Sequence, residues 1–163
     1  MSTSKLQYIY KEITRNLNEI LSIDKNIKGA IISNLSGMLI AYAIKDDYQA
    51  EISLISGLIE GLAATLSAIY GAASVAGEDI KLAKTQLILV EYENGNLIIC
   101  DMGHENILAI IADKRGALGA IRIIAKKYGE RIKPLLIELD KIIEDELSTN
   151  NARESVKKEL SRM

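Results

Sequence analysis

AEISLISGLIEGLAATLSAIYGAASVAG, residues 50–77, is a helix-compatible run in which Glu51 and Glu60 are the only charged residues. A helix with so little charge has no broad side suited to water. At 100° per residue, Ile52, Ile55, Leu58, Ile59, Leu62, Leu66, Ile69 and Tyr70 gather on one wide stripe, the pattern of a core face. About half a turn away runs a second stripe of small residues, Ala50, Ser53, Gly57, Gly61, Ala64, Ala68, Gly71 and Ala72. Gly57 and Gly61 inside a helix cost roughly 0.5–1 kcal/mol each relative to alanine, unless something packs very close to that face. A helix of a second copy would do so. The competing reading is a central helix of a monomer, covered on both sides by its own chain. A membrane span is not expected, because residues 61–77 are rich in Ala, Ser, Thr and Gly rather than bulky apolar side chains.

The 163 residues suit one domain able to bury a sizeable core, with 48% hydrophobic and 26% charged residues as in an ordinary globular protein. A formal charge of -2 leaves no electrostatic footprint for nucleic acid. Without Phe or Trp, the core must come from Ile, Leu, Val and Ala with help from seven Tyr. Bases would find little to stack on. One cysteine, Cys100, and one histidine, His104, exclude an internal disulfide framework and a Cys/His metal site of the usual ligand count. Residues 1–7 lack a signal-peptide core, so a cytoplasmic location is expected, with no cofactor and no metal.

Leu6, Ile9, Tyr10, Ile13, Leu17, Ile20 and Leu21 predict a first amphipathic helix, with Ser4 as its N-cap. Strands are predicted over 27–33 and 38–44, joined by a turn in which Gly37 takes positive φ. Asp46 or Asp47 would cap the long helix. Further strands are predicted over 85–92, 96–101 and 107–112, with Asn94-Gly95 as a hairpin signal and the last run central and buried on both faces. A helix from Arg115 and Gly116 carries Leu118, Ile121, Ala125, Tyr128 and Ile132 at helical spacing. Pro134 suits the first turn of a separate helix, and 153–163 are expected to fray. The fold class is α+β: a five-stranded antiparallel sheet with helices on both faces, as a domain over 1–133 and a helical extension over 134–163.

This order, with Ile27-Lys28-Gly29-Ala30-Ile31-Ile32 leading into Ser36-Gly37-Met38-Leu39-Ile40-Ala41, and Leu108-Ala109-Ile110-Ile111-Ala112 followed by Leu118-Gly119-Ala120-Ile121-Arg122, resembles the roadblock family of dynein light chains and small-GTPase regulators. The likeness runs from about Leu6 to Ile132 and rests on packing patterns, not on chemistry. It implies a roadblock fold, related to the profilin-like and longin-like sandwiches. It also implies a homodimer in which the long helices lie side by side and the strand after them pairs with its mate. Gly57, Gly61, Ala64 and Ala68 would then form the helix interface, and Leu87, Ile88, Leu89 and Val90 the strand interface. The strand agrees, since apolar residues point both ways and an open edge of that kind invites aggregation.

The function implied is that of a non-enzymatic homodimeric adaptor that binds a small Ras-like GTPase and biases its nucleotide state or location. Ser56, Glu60, Ala63 and Ser67, on the rims of the paired helices, are the expected contact residues. A profilin-like small-ligand sensor and a structural light-chain subunit are the alternatives. Arg115, Arg122 and Arg131 are the candidates for an arginine finger acting on a bound GTPase, and their place on or beside an amphipathic helix favours solvated charges. No set of nucleophile, base and orienting residue emerges from the sequence.

Overall fold

The computed structural model describes residues 2–52 and 57–163. The elements are α1 (Ser2–Ile23), β1 (Ile27–Asn34), β2 (Leu39–Ile44), α2 (Asp46–Ile52), α3 (Leu58–Asp79), β3 (Leu87–Tyr92), β4 (Gly95–Gly103), β5 (Asn106–Asp113) and α4 (Leu118–Arg162). The strands form one antiparallel sheet in the order β2-β1-β5-β4-β3. β5 is central, as its aliphatic run predicts, and β2 and β3 are the edges.

Strand alternation sends successive side chains to opposite faces, and both faces here are apolar. Ala30, Ile32, Ile98, Leu108 and Ile110 meet Ile13, Leu17 and Ile20 of α1 and Ile121, Tyr128 and Ile132 of α4. Ile31, Leu97, Ile99, Ile107 and Ala109 meet Leu66 and Tyr70 of α3. The sheet is thus sandwiched, with α1 and α4 on one side and α3 on the other. Among the described residues, every buried side-chain polar atom has a hydrogen-bond partner.

The turns show where glycine is required. Gly37 adopts φ 90°, as expected, and a side chain there would meet the Cα of Ala64 at 3.2 Å, so the β1–β2 tip rests on α3. Asn94-Gly95 works differently from its hairpin signature. Tyr92 pairs with Gly95, so Glu93 and Asn94 make the turn and Gly95 already belongs to β4. Its glycine is explained by the Ala112 carbonyl, whose oxygen lies 2.5 Å from where a Cβ would stand. The β4–β5 turn instead carries the backbone strain, with Gly103, His104 and Glu105 all at positive φ.

Helix boundaries depart from expectation in three places. α1 already begins at Ser2, which puts Ser4 inside it. The run 50–77 is not one helix: α2 carries Asp46 and Asp47 in its first turn and ends at Ile52, and Gly57 at φ 79° immediately precedes α3. Pro134 lies within α4 rather than opening a separate helix. Its ring removes one backbone hydrogen bond, but Leu136, Leu139 and Ile142 beyond it are buried in the α1-facing core and hold the helix on course. The core therefore reaches past residue 133, the expected end of the domain. Residues 153–162 continue α4 as an exposed helical end, within the expectation of a frayed helix there.

Leu17→Ala in the α1 seam should lower stability by about 2–5 kcal/mol. Deleting 148–163, all exposed, should change it by less than about 0.5 kcal/mol. Urea unfolding followed by circular dichroism checks both.

Candidate interaction surface

α3 sits on the sheet through Ala63, Leu66, Ser67 and Tyr70, its four buried residues. On a helical projection their centre is rolled roughly 70° from the middle of the bulky stripe read from sequence. The polar contacts show why. The Ser67 hydroxyl donates to the Asn34 carbonyl at 2.7 Å and lies 3.2 Å from Ser33 Oγ, so it must point at β1. Ala63, fully buried one turn earlier, lets the helix approach there. Leu58, Ile59, Leu62 and Ile69 are left half-buried along one flank.

This roll corrects the expected rim. Ala63 and Ser67 face the chain's own sheet and offer nothing to a partner, whereas Glu60 is exposed. Ser56 lies outside the described residues, as do Ser53 and Ile55 of the two stripes. Gly57, Gly61, Ala64, Ala68, Gly71 and Ala72 are exposed on the outer face, and a Cβ on Gly57, Gly61 or Gly71 would meet nothing within 4 Å. Apart from the β1–β2 tip beside Ala64, no part of the described chain packs on the small-residue face. α3 is long and apolar enough, by length and composition, to cross a membrane. Its seating on the sheet through Ala63, Leu66, Ser67 and Tyr70 is a feature of a helix that packs against protein.

The strand that follows is held to α3 by a local network. Tyr70 donates its hydroxyl to the Thr85 carbonyl at 3.0 Å, and Ser74 Oγ lies 3.0 Å from Thr85 Oγ1. Lys81 and Ala83 take positive φ in the connection, and the Gly77 carbonyl accepts from the Leu82 N–H at 2.7 Å. β3 leaves this connection as an edge strand, its inner side paired with β4. Leu87 packs on the α1–α4 side and Ile88 and Val90 on the α3 side, while Leu89 is exposed. The small face of α3 and the apolar edge β3 therefore belong to consecutive elements fastened to each other.

The sequence profile of the Roadblock/LC7 domain matches residues 13–112. Two uncharacterized proteins of Methanocaldococcus jannaschii are each 30% identical to the chain. One aligns over 115 residues, 71% of this chain and 92% of its own length, and the other over 123 residues, 76% and 95%. Among solved structures, a Roadblock/LC7 domain from Streptomyces avermitilis superposes with a TM-score of 0.67 at 14% identity, covering 76% of this chain and 97% of its own. Myxococcus xanthus MglB gives 0.69 at 20% identity, covering 80% and 91%. An MglB described as having a tetrameric arrangement gives 0.71 at 17%, covering 80% and 92%.

The chemistry-bearing side chains lie apart from this surface. His104 Nε2 stands 3.0 Å from Asp140 and ties the β4–β5 turn to α4. Arg115 pairs with Asp113 at 3.5 Å, and Arg131 lies over the Tyr128 ring and 3.8 Å from Glu19. Arg122 lines a cleft on the other side of the sheet from α3. Cys100 is buried on β4, and that burial pushes its thiol up to about 11, with Arg122 opposing more weakly. From an ordinary value of 9.0, the folded thiol should hold about a hundredfold less thiolate near pH 8. Ellman's reagent should react correspondingly more slowly with folded than with urea-unfolded protein. Because the folded state holds the proton more tightly, the thiol's contribution to stability should be lost as pH rises from about 9 to about 11.

Proposed function

The chain belongs to the Roadblock/LC7 domain family, and on that premise we propose that it is a non-enzymatic homodimeric adaptor for a small Ras-like GTPase. One observation carries the self-association: an uncovered small-residue helix face lies next to an unpaired strand edge with apolar side chains on both sides. A twofold axis beside β3 would satisfy both at once, α3 against α3 and β3 against β3. Such a dimer offers a rigid surface of paired helices. By holding one arrangement of the GTPase switch segments better than another, it would shift the nucleotide-dependent population without supplying a catalytic group.

The contact surface is redrawn from the structure. Glu60 and Thr65, both exposed on α3, replace Ala63 and Ser67 as the residues a GTPase would touch beside the paired helices.

Gly61→Leu distinguishes a dimer face from a solvent face. The isolated chain has room for the side chain, and the helix gains roughly 0.5–1 kcal/mol of propensity, so folding should be kept or improved. Light scattering should show the native protein as a dimer and the variant as a folded monomer. A native monomer would refute the reading. For the partner, Ras-like GTPases from the same genome, loaded with GDP or a GTP analogue, should include one that the immobilised dimer retains in one state at least tenfold better than in the other. Equal retention of both states by every binder would leave no switch-reading role.

A further inference from the structure

We propose that the cleft between the β3–β4 hairpin and the first half of α4 binds an extended acidic peptide segment of a partner protein. The cleft has a volume of about 440 Å³ and lies on the α1–α4 side of the sheet. The whole chain carries a formal charge of -2, yet Lys84, Arg122, Lys126 and Lys133 line this cleft against only Asp101 and Glu130. Lys84 already pairs with Asp101 at 2.9 Å. Arg122, Lys126 and Lys133 have no carboxylate within 4.0 Å among the described residues. Three cations are thus left to face an incoming anion.

Their spacing chooses the shape of that anion. Positions 122, 126 and 133 fall on one line of the helix, spread over about 16 Å. A single carboxylate or phosphate can bridge Arg122 and Lys126, one turn apart, but leaves Lys133, about 10 Å further along the helix, without a partner. An extended peptide presents same-side residues about 6.6–6.8 Å apart, so carboxylates at alternate positions would run the length of the row. Side chains pointing the other way would meet Leu87, Met102 and Ala125 on the floor.

Gly129 supplies the second observation. It occupies the same line, between Lys126 and Lys133, in the interior of α4, where glycine costs roughly 1 kcal/mol relative to alanine. Close packing does not explain it: although the residue is buried, a Cβ there would meet nothing within 4 Å. A side chain would instead occupy the cleft. Glycine at this position keeps open the middle of a row that is cationic at both ends.

Fluorescence anisotropy with a fluorescein-labelled octapeptide of alternating glutamate and leucine tests the site. The native protein should bind it saturably at low salt and more weakly at 0.5 M sodium chloride, as charge pairing at a surface demands. Lys126→Glu should weaken binding at least tenfold. Gly129→Leu, which fills the cleft without changing charge, should do the same, with Gly129→Ala as the smaller step should the leucine variant unfold. Lys157→Glu, on the exposed end of α4, should leave binding unchanged. Failure to bind, equal binding of a lysine–leucine octapeptide, or indifference to both cleft substitutions would overturn the proposal. So would stronger binding of inorganic tripolyphosphate than of the peptide, which would mark a small-anion site. None of these readouts depends on a GTPase, and the native and Gly61→Leu proteins, titrated side by side, separate the cleft's own binding from any gain on self-association.

Discussion

A sheet that is apolar on both faces must be covered twice, and that requirement governs the whole arrangement. β1, β5 and β4 bury most of their residues and expose none, so neither face can be left to water. α1 and α4 together cover one face, through Ile13, Leu17 and Ile20 against Ile121, Tyr128 and Ile132. The other face receives α3 alone. One helix is narrower than five strands, and its contact is centred on β1 by the Ser67 hydrogen bonds to Asn34 and Ser33. The β3 margin of the sheet consequently keeps apolar atoms that a single α3 does not reach: Ile88 and Val90 remain half-buried.

That asymmetry separates what could be read in the sequence from what could not. The five strands, their antiparallel connection and the central place of β5 follow from alternation, turn residues and one unbroken aliphatic run, and these are local signals. Helix orientation is less local. The bulky stripe of the 50–77 run announced a core face, but the exact roll depended on Ser67, whose partners lie more than thirty positions away in sequence. Ala63 and Ser67 therefore looked like rim residues although both are buried. Gly57 and Pro134 show the same limit from opposite directions. Glycine permits a break that propensity alone does not force, and proline disfavours a continuation that Leu136, Leu139 and Ile142 nevertheless impose by packing on α1.

The candidate surface was legible in outline for a physical reason. Small residues on a helix face and apolar residues on both sides of an edge strand are costly in an isolated chain, and cost at exposed positions can be seen without coordinates. The cleft was not legible. Lys84 and Asp101 come from different elements than Arg122, Lys126 and Lys133, and only the packing of α4 across β4 brings them together. In the sequence those α4 cations are indistinguishable from an ordinary solvated helix face, and Gly129 looks like a weak point near a helix end rather than a gap in a row.

The two surfaces are compatible because they lie on different sides of the sheet. Pairing through β3 would extend the sheet in its own plane and bring α3 against its mate on one face. On the opposite face, two α4 helices would stand on either side of the joined edge, each with its row of Arg122, Lys126 and Lys133 facing the valley between them. A twofold dimer would then double the cationic character of a cleft that, in one chain, is already unmatched by its own carboxylates. Charge of one sign gathered in a partly enclosed valley raises the local potential more than the same charge spread over a convex surface. Self-association through α3 and β3 would thus strengthen, rather than obstruct, recognition of an acidic segment on the other side.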